Sequence, residues 1–136
     1  MRGAVAGVIL LGVLTGCSVG ADTKLVEAEI ATFHRQLDAG QFDAVYLNAS
    51  ADMKRATTQA EMVQLLSAIH RKLGAFSSGK TANWNDNVTT AGHFVTENYA
   101  SQYARGSATE NFVYRIEGQK AVLAGYHINS TALIVN

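Results

Sequence analysis

Gly74 divides the chain into halves of different period. Before it, apolar residues recur every three or four positions; after it, they alternate. In "DTKLVEAEIATFHRQLDAG", Val26, Ile30, Phe33 and Leu37 follow at spacings of 4, 3 and 4. That is one helical stripe, which Asp22 is placed to cap and Gly40 to end. "QFDAVYLNAS" predicts a shorter helix with Phe42, Val45 and Tyr46 on one side. In "TTQAEMVQLLSAIHRKLG", Thr58 and Glu61 form a T-x-x-E capping box. Met62, Leu66, Ile69 and Leu73 make the stripe, and Gly74 stands at the C′ position.

Residues 80–136 are rich in Thr, Val, Tyr and Phe, and glycines punctuate them at 92, 106 and 118. Strands joined by short glycine-bearing turns at such intervals predict an antiparallel meander. By period two, Val95, Tyr99 and Tyr103 fall on one face, with Glu97 between them on the same side. Phe112, Tyr114 and Ile116 share a face with Glu110, and Val122, Ala124, Tyr126 and Ile128 share another. Helices first and strands afterwards imply an α+β domain, with the helices packed on one face of a curved sheet.

Ahead of this domain stands "MRGAVAGVILLGVLTGC". Arg2, an apolar run from Ala4 to Leu14 and small residues before Cys17 make a secretory signal. The run is too short to cross a bilayer, which takes about 20 apolar residues. Ending in Leu-Thr-Gly-Cys, it resembles the lipobox of bacterial lipoproteins. The resemblance implies cleavage before Cys17 and diacylglyceryl transfer to its sulfur. Cys17 is the only cysteine, so no disulfide partner competes for it. Two or three acyl chains anchor a protein stably where one does not. In the resembling proteins Asp after the cysteine favours the inner membrane; Ser18 therefore implies the periplasmic face of the outer membrane. The expected division is a signal peptide at 1–16, a lipidated N-terminus and tether at 17–24, and one domain at 25–136.

Without Arg2 the 11 basic residues become ten against 11 acidic ones, a net charge near −1. With no basic excess and no Lys/Arg run, nucleic acid is not an expected partner. The expected partners are the bilayer, through acylated Cys17, and an envelope protein or small apolar ligand.

The order helix, "LDAGQFDAVY", helix, "KLGAF", meander and closing "AGYHI" resembles a family of small bacterial lipoproteins and secreted domains of unknown function. Its members are similar in outline to the cystatin-like, nuclear-transport-factor-like α+β roll. Leu73-Gly74 and Gly125-Tyr126 match recurring positions, and Tyr99, Tyr103 and Glu110 fit the strand pattern. A recurring Trp four residues before the closing Gly-Tyr is replaced here by Ala121. The resemblance implies the roll and brings no activity with it.

Chemistry is harder to place. His34, His70, His93 and His127 form no H-x-H or H-E-x-x-H pair, so neither a metal site nor any cofactor is expected. His70 reads as a boundary residue and His127 as solvent-facing. There is no G-x-S-x-G elbow and no glycine-rich phosphate loop. Glu97 and Glu110, among Tyr99, Tyr103, Tyr114 and Tyr126, are the candidates for an acid–base pair inside a roll. The plainer reading makes both glutamates solvent-edge or cross-strand partners of Arg105 and Arg115. Trp84, Tyr99, Tyr103 and Tyr126 are the candidate pocket. The sequence thus predicts a lipid-anchored, non-catalytic envelope module with no catalytic residue. The alternative is a small acid–base enzyme, of isomerase or dehydratase type, working in the cone of the roll.

Overall fold

The computed structural model describes residues 19–135; the expected signal peptide and Cys17 lie outside the described residues. Helix α1 (Val19–Asp38) buries the stripe read from the sequence, with Val26, Ile30, Phe33 and Leu37 all at most 3% exposed. It starts earlier than Asp22, which lies in its first turn rather than at its cap. Residues 19–24 of the expected tether are therefore helical. Gly40 takes φ 70°, and the amides of Gly40 and Gln41 turn back onto the carbonyls of Leu37 and Gln36. That closure suits glycine because a left-handed backbone costs it nothing.

Helix α2 (Phe42–Leu47) buries Val45. A further helix, α3 (Ala51–Ala56), has no counterpart in the sequence reading. It is six residues long and buries only Met53, too little to show a stripe. Ser50 explains it: its hydroxyl accepts from the Met53 amide at the N-cap, while its own amide donates to the Leu123 carbonyl at 2.8 Å. Helix α4 (Gln59–Leu73) carries the reciprocal Thr58–Glu61 capping box and buries Met62, Leu66, Ile69 and Leu73. Gly74 closes it at φ 74°; a Cβ there would stand 3.1 Å from that of Ala104.

Strands β1 (Phe76–Thr89), β2 (Gly92–Tyr103), β3 (Gly106–Glu117) and β4 (Lys120–Asn129) form one antiparallel sheet in the order β1-β2-β3-β4. A one-turn helix, α5 (Ala132–Val135), follows. The helices pack on one face of this open, curved meander, the α+β architecture expected from the order of periods. The first strand begins at Phe76, before the expected residue 80.

Inward-facing residues on β2 and β3 alternate as predicted. On β4 they do not. Val113 pairs with Gly125 and Tyr114 with Leu123, so Ala124 is an extra residue in a bulge. The bulge reverses the strand's phase. Ala121 and Leu123 are buried before it, and Tyr126 and Ile128 pack on the core after it. Val122 and Ala124 therefore do not share the face of Tyr126, contrary to the period-two reading.

Candidate functional site

Glu110 is fully buried on β3, on the face that meets α1. Four side chains from three other elements converge on it. From β2, Ser101 donates to Oε2, and the Tyr103 hydroxyl donates to Oε1 at 2.8 Å. From β4, the Tyr126 hydroxyl donates to Oε1 at 2.6 Å. From α1, His34 Nε2 lies 2.8 Å from Oε2. Burial opposes ionisation of Glu110, but His34, by hydrogen bond and charge, together with Ser101 and Tyr126, outweighs it and holds the carboxyl below its ordinary range. An ionised carboxylate only accepts, so His34 carries its proton on Nε2.

Packing fixes the imidazole. Its ring stacks on Phe76 at 3.7 Å between centroids, with Phe33, Tyr99 and Phe112 around it at 5.6–5.8 Å. Among the described residues, His34 Nδ1 is buried without a hydrogen-bond partner. Burial and then the charge of Glu110 raise Tyr103 and Tyr126, so both phenols are donors and not bases.

Glu97, on β2, is the second buried carboxylate. Oε2 accepts from Thr81 at 2.6 Å, and Oε1 has no partner among the described residues. Burial raises its pKa; the Thr81 hydrogen bond opposes the shift and the charge of Glu27 adds to it. Two carboxylates on one sheet face are thus pushed in opposite directions, Glu110 by many donors and Glu97 by too few.

Among the described residues neither glutamate pairs with an arginine, contrary to the plainer reading. Arg115 Nε donates to Asp52 at 2.7 Å and its Nη2 to the Ala91 carbonyl at 2.9 Å. Arg105 reaches the last carbonyls of α4, at Lys72 (2.9 Å) and Arg71. Proximity along the strand misled because neighbouring strand residues face opposite sides.

Of the four candidate pocket residues, Tyr103 and Tyr126 meet at Glu110 and Tyr99 flanks His34. Trp84 stands apart, 50% exposed on edge strand β1. The space between is occupied by Phe33, His34, Phe76 and Phe112. Beside Tyr126 a cleft of about 230 Å³ opens between α3, α4 and β4, smaller than the roughly 300–1,000 Å³ of small-molecule sites. His127 is exposed, and His70 is half-buried beside Phe42.

The sequence reading did not single out His34 or Ser101. The signal was present: His34 lies four residues after Ile30 on the buried stripe, and Ser101 alternates between Tyr99 and Tyr103. A polar residue at a core-phase position needs a buried partner. No curated protein matches the chain. A protein family of unknown function, DUF4019, matches residues 31–126, which hold α1 from its middle, α2–α4 and the sheet as far as Tyr126. The Glu110 cluster falls wholly within that span, and the chain belongs to this family.

Proposed function

We propose that the chain is a bacterial envelope lipoprotein, anchored through acylated Cys17 at the periplasmic face of the outer membrane, that acts as a binding or accessory module and not as a catalyst. The observation that carries the second half is the saturation of Glu110. Both oxygens are engaged by protein donors and its pKa is held low, so the best-placed carboxylate of the interior has no lone pair free for a substrate proton. The interior polar groups serve the fold, and recognition of an envelope protein or a small apolar ligand falls to the surface.

One observation favours the acid–base reading: Glu97 has a raised pKa and a bare oxygen, the pattern of a general base. Replacement separates the two. Glu97→Gln keeps the shape and removes the base, so a catalyst would lose about 10²–10⁴-fold in rate. A binding module should complement a deletion strain as well as the parent. The anchor is tested independently. Cys17→Ser should leave the membrane fraction or accumulate as precursor, and the mature parent should begin at Cys17 with added acyl mass. An unmodified mature chain beginning elsewhere would refute the lipoprotein assignment.

A further inference from the structure

At the opposite end of the sheet from Glu110's hairpin turn, three elements bring together side chains far apart in sequence. Asp22 comes from the first turn of α1, Asp86 from β1 and His93 from the start of β2. One ligand atom from each lies within 4.8 Å of the other two. His93 Nε2 faces both carboxylates, 2.6 Å from Asp86 Oδ1 and 3.7 Å from Asp22 Oδ2. We propose that Asp22, Asp86 and His93 form a zinc site.

Distances and charge both fit. Zinc binds imidazole nitrogen and carboxylate oxygen at about 2.0–2.2 Å, which sets tetrahedral ligand atoms roughly 3.4 Å apart. The Asp22–His93 separation is already close to this, and Asp86 Oδ1 has to retreat by less than about 1 Å. Two carboxylates and a neutral imidazole balance a dication. Binding displaces the proton from His93 Nε2, which then holds the metal while Nδ1 keeps its own proton, and leaves a fourth position for water.

Asp22 is the more deeply set of the site's two carboxylates: its side chain is only 9% exposed, and its Oδ2 faces His93 Nε2 at 3.7 Å. A dication between Asp22, Asp86 and His93 would neutralise two carboxylates that the fold holds close together. Arg115, whose guanidinium lies beside Gly92, is already engaged by Asp52. His93 is 25% exposed, which leaves the site open to an aqueous ion. A bound zinc would pin the first turn of α1 to the β1–β2 hairpin.

The test uses the full chain in detergent carrying Cys17→Ser, so that no thiol competes. It is stripped with EDTA and titrated with zinc chloride, and separately with cobalt chloride, whose visible absorption reports low-coordinate nitrogen–oxygen ligation. One equivalent should bind saturably, with a rise in melting temperature. Asp22→Asn and His93→Gln should each weaken binding by about tenfold or more. Asp22→Asn keeps the shape of the side chain and leaves the His93–Asp86 contact in place; metal-free melts check that both variants fold. Absence of saturable binding would overturn the proposal, as would unchanged affinity in folded Asp22→Asn.

Discussion

His34 Nε2 and Glu110 Oε2 meet at 2.8 Å across 76 residues of chain, and the contact joins the first helix to the third strand. Ser101 and Tyr103 bring β2 to the same carboxylate and Tyr126 brings β4. One buried charge thus keys four elements. An apolar core tolerates sliding, whereas this cluster is satisfied only when α1, β2, β3 and β4 hold one register. The β4 bulge at Ala124 belongs to the same arrangement, because without its phase reversal Leu123 and Tyr126 would not face the core together.

Removing either partner should therefore be severe. His34→Ala leaves a buried carboxylate short of a donor and opens a gap against Phe76. We expect a loss of about 3 kcal/mol or more, since an unsatisfied buried acceptor costs about 1–3 kcal/mol, more when charged, and the gap adds to it. Glu110→Gln, which keeps the shape but turns one acceptor oxygen into an NH2 donor facing donors and removes the charge, should lose a similar amount. Glu97→Gln should stay within about 1 kcal/mol of the parent at neutral pH, since it removes a charge that burial already penalises. Urea unfolding of the three variants checks the order; equal losses for Glu97→Gln and Glu110→Gln would refute it.

The same two glutamates set opposite pH dependences. Glu110 has a lowered folded pKa, so its contribution is present above the unfolded value of about 4.3 and is lost as pH falls through the folded value. Glu97 has a raised folded pKa, so its contribution is full below about pH 4.3 and is lost as pH rises through the folded value. Stability measured by urea unfolding from pH 3 to pH 8 should show both limbs. Glu110→Gln should flatten the acid limb and Glu97→Gln the limb on the neutral side. An unchanged acid limb in Glu110→Gln would show that other carboxylates cause it.

Much of this fold could be read from the chain because its signals are local. The α4 stripe, the capping box at Thr58, the closing Gly74 and the alternation on β2 and β3 each lie within a dozen or so residues. Features that depend on distant contact could not be read. α3 is held by a bond from Ser50 to β4, and the bulge at Ala124 answers to β3. The site was half visible. Glu110, Tyr103 and Tyr126 stood out as a carboxylate and two aromatics in strand phase. His34 did not, because its partner lies on another element and no spacing rule links a helix to a strand. The arginine pairing failed for the same reason, since Asp52, the true partner of Arg115, is 63 residues away.

The candidate pocket residues should divide into two kinds. Tyr103→Phe removes only a hydroxyl, but that hydroxyl is one of two donors to Glu110 Oε1 and the side chain is 5% exposed. Losing it should cost about 1–3 kcal/mol, the range for a buried hydrogen bond to a charged group. Trp84→Ala removes far more surface, yet Trp84 is half-exposed on the edge strand and should cost within about 0.5 kcal/mol, as surface changes do. Trp84 is the only tryptophan, so its fluorescence reports on this strand alone. Its emission in the folded protein should be solvent-shifted and readily quenched by iodide. A blue-shifted, unquenched emission, or a larger loss for Trp84→Ala than for Tyr103→Phe, would mean that Trp84 closes over the tyrosines and that the four residues form one pocket after all.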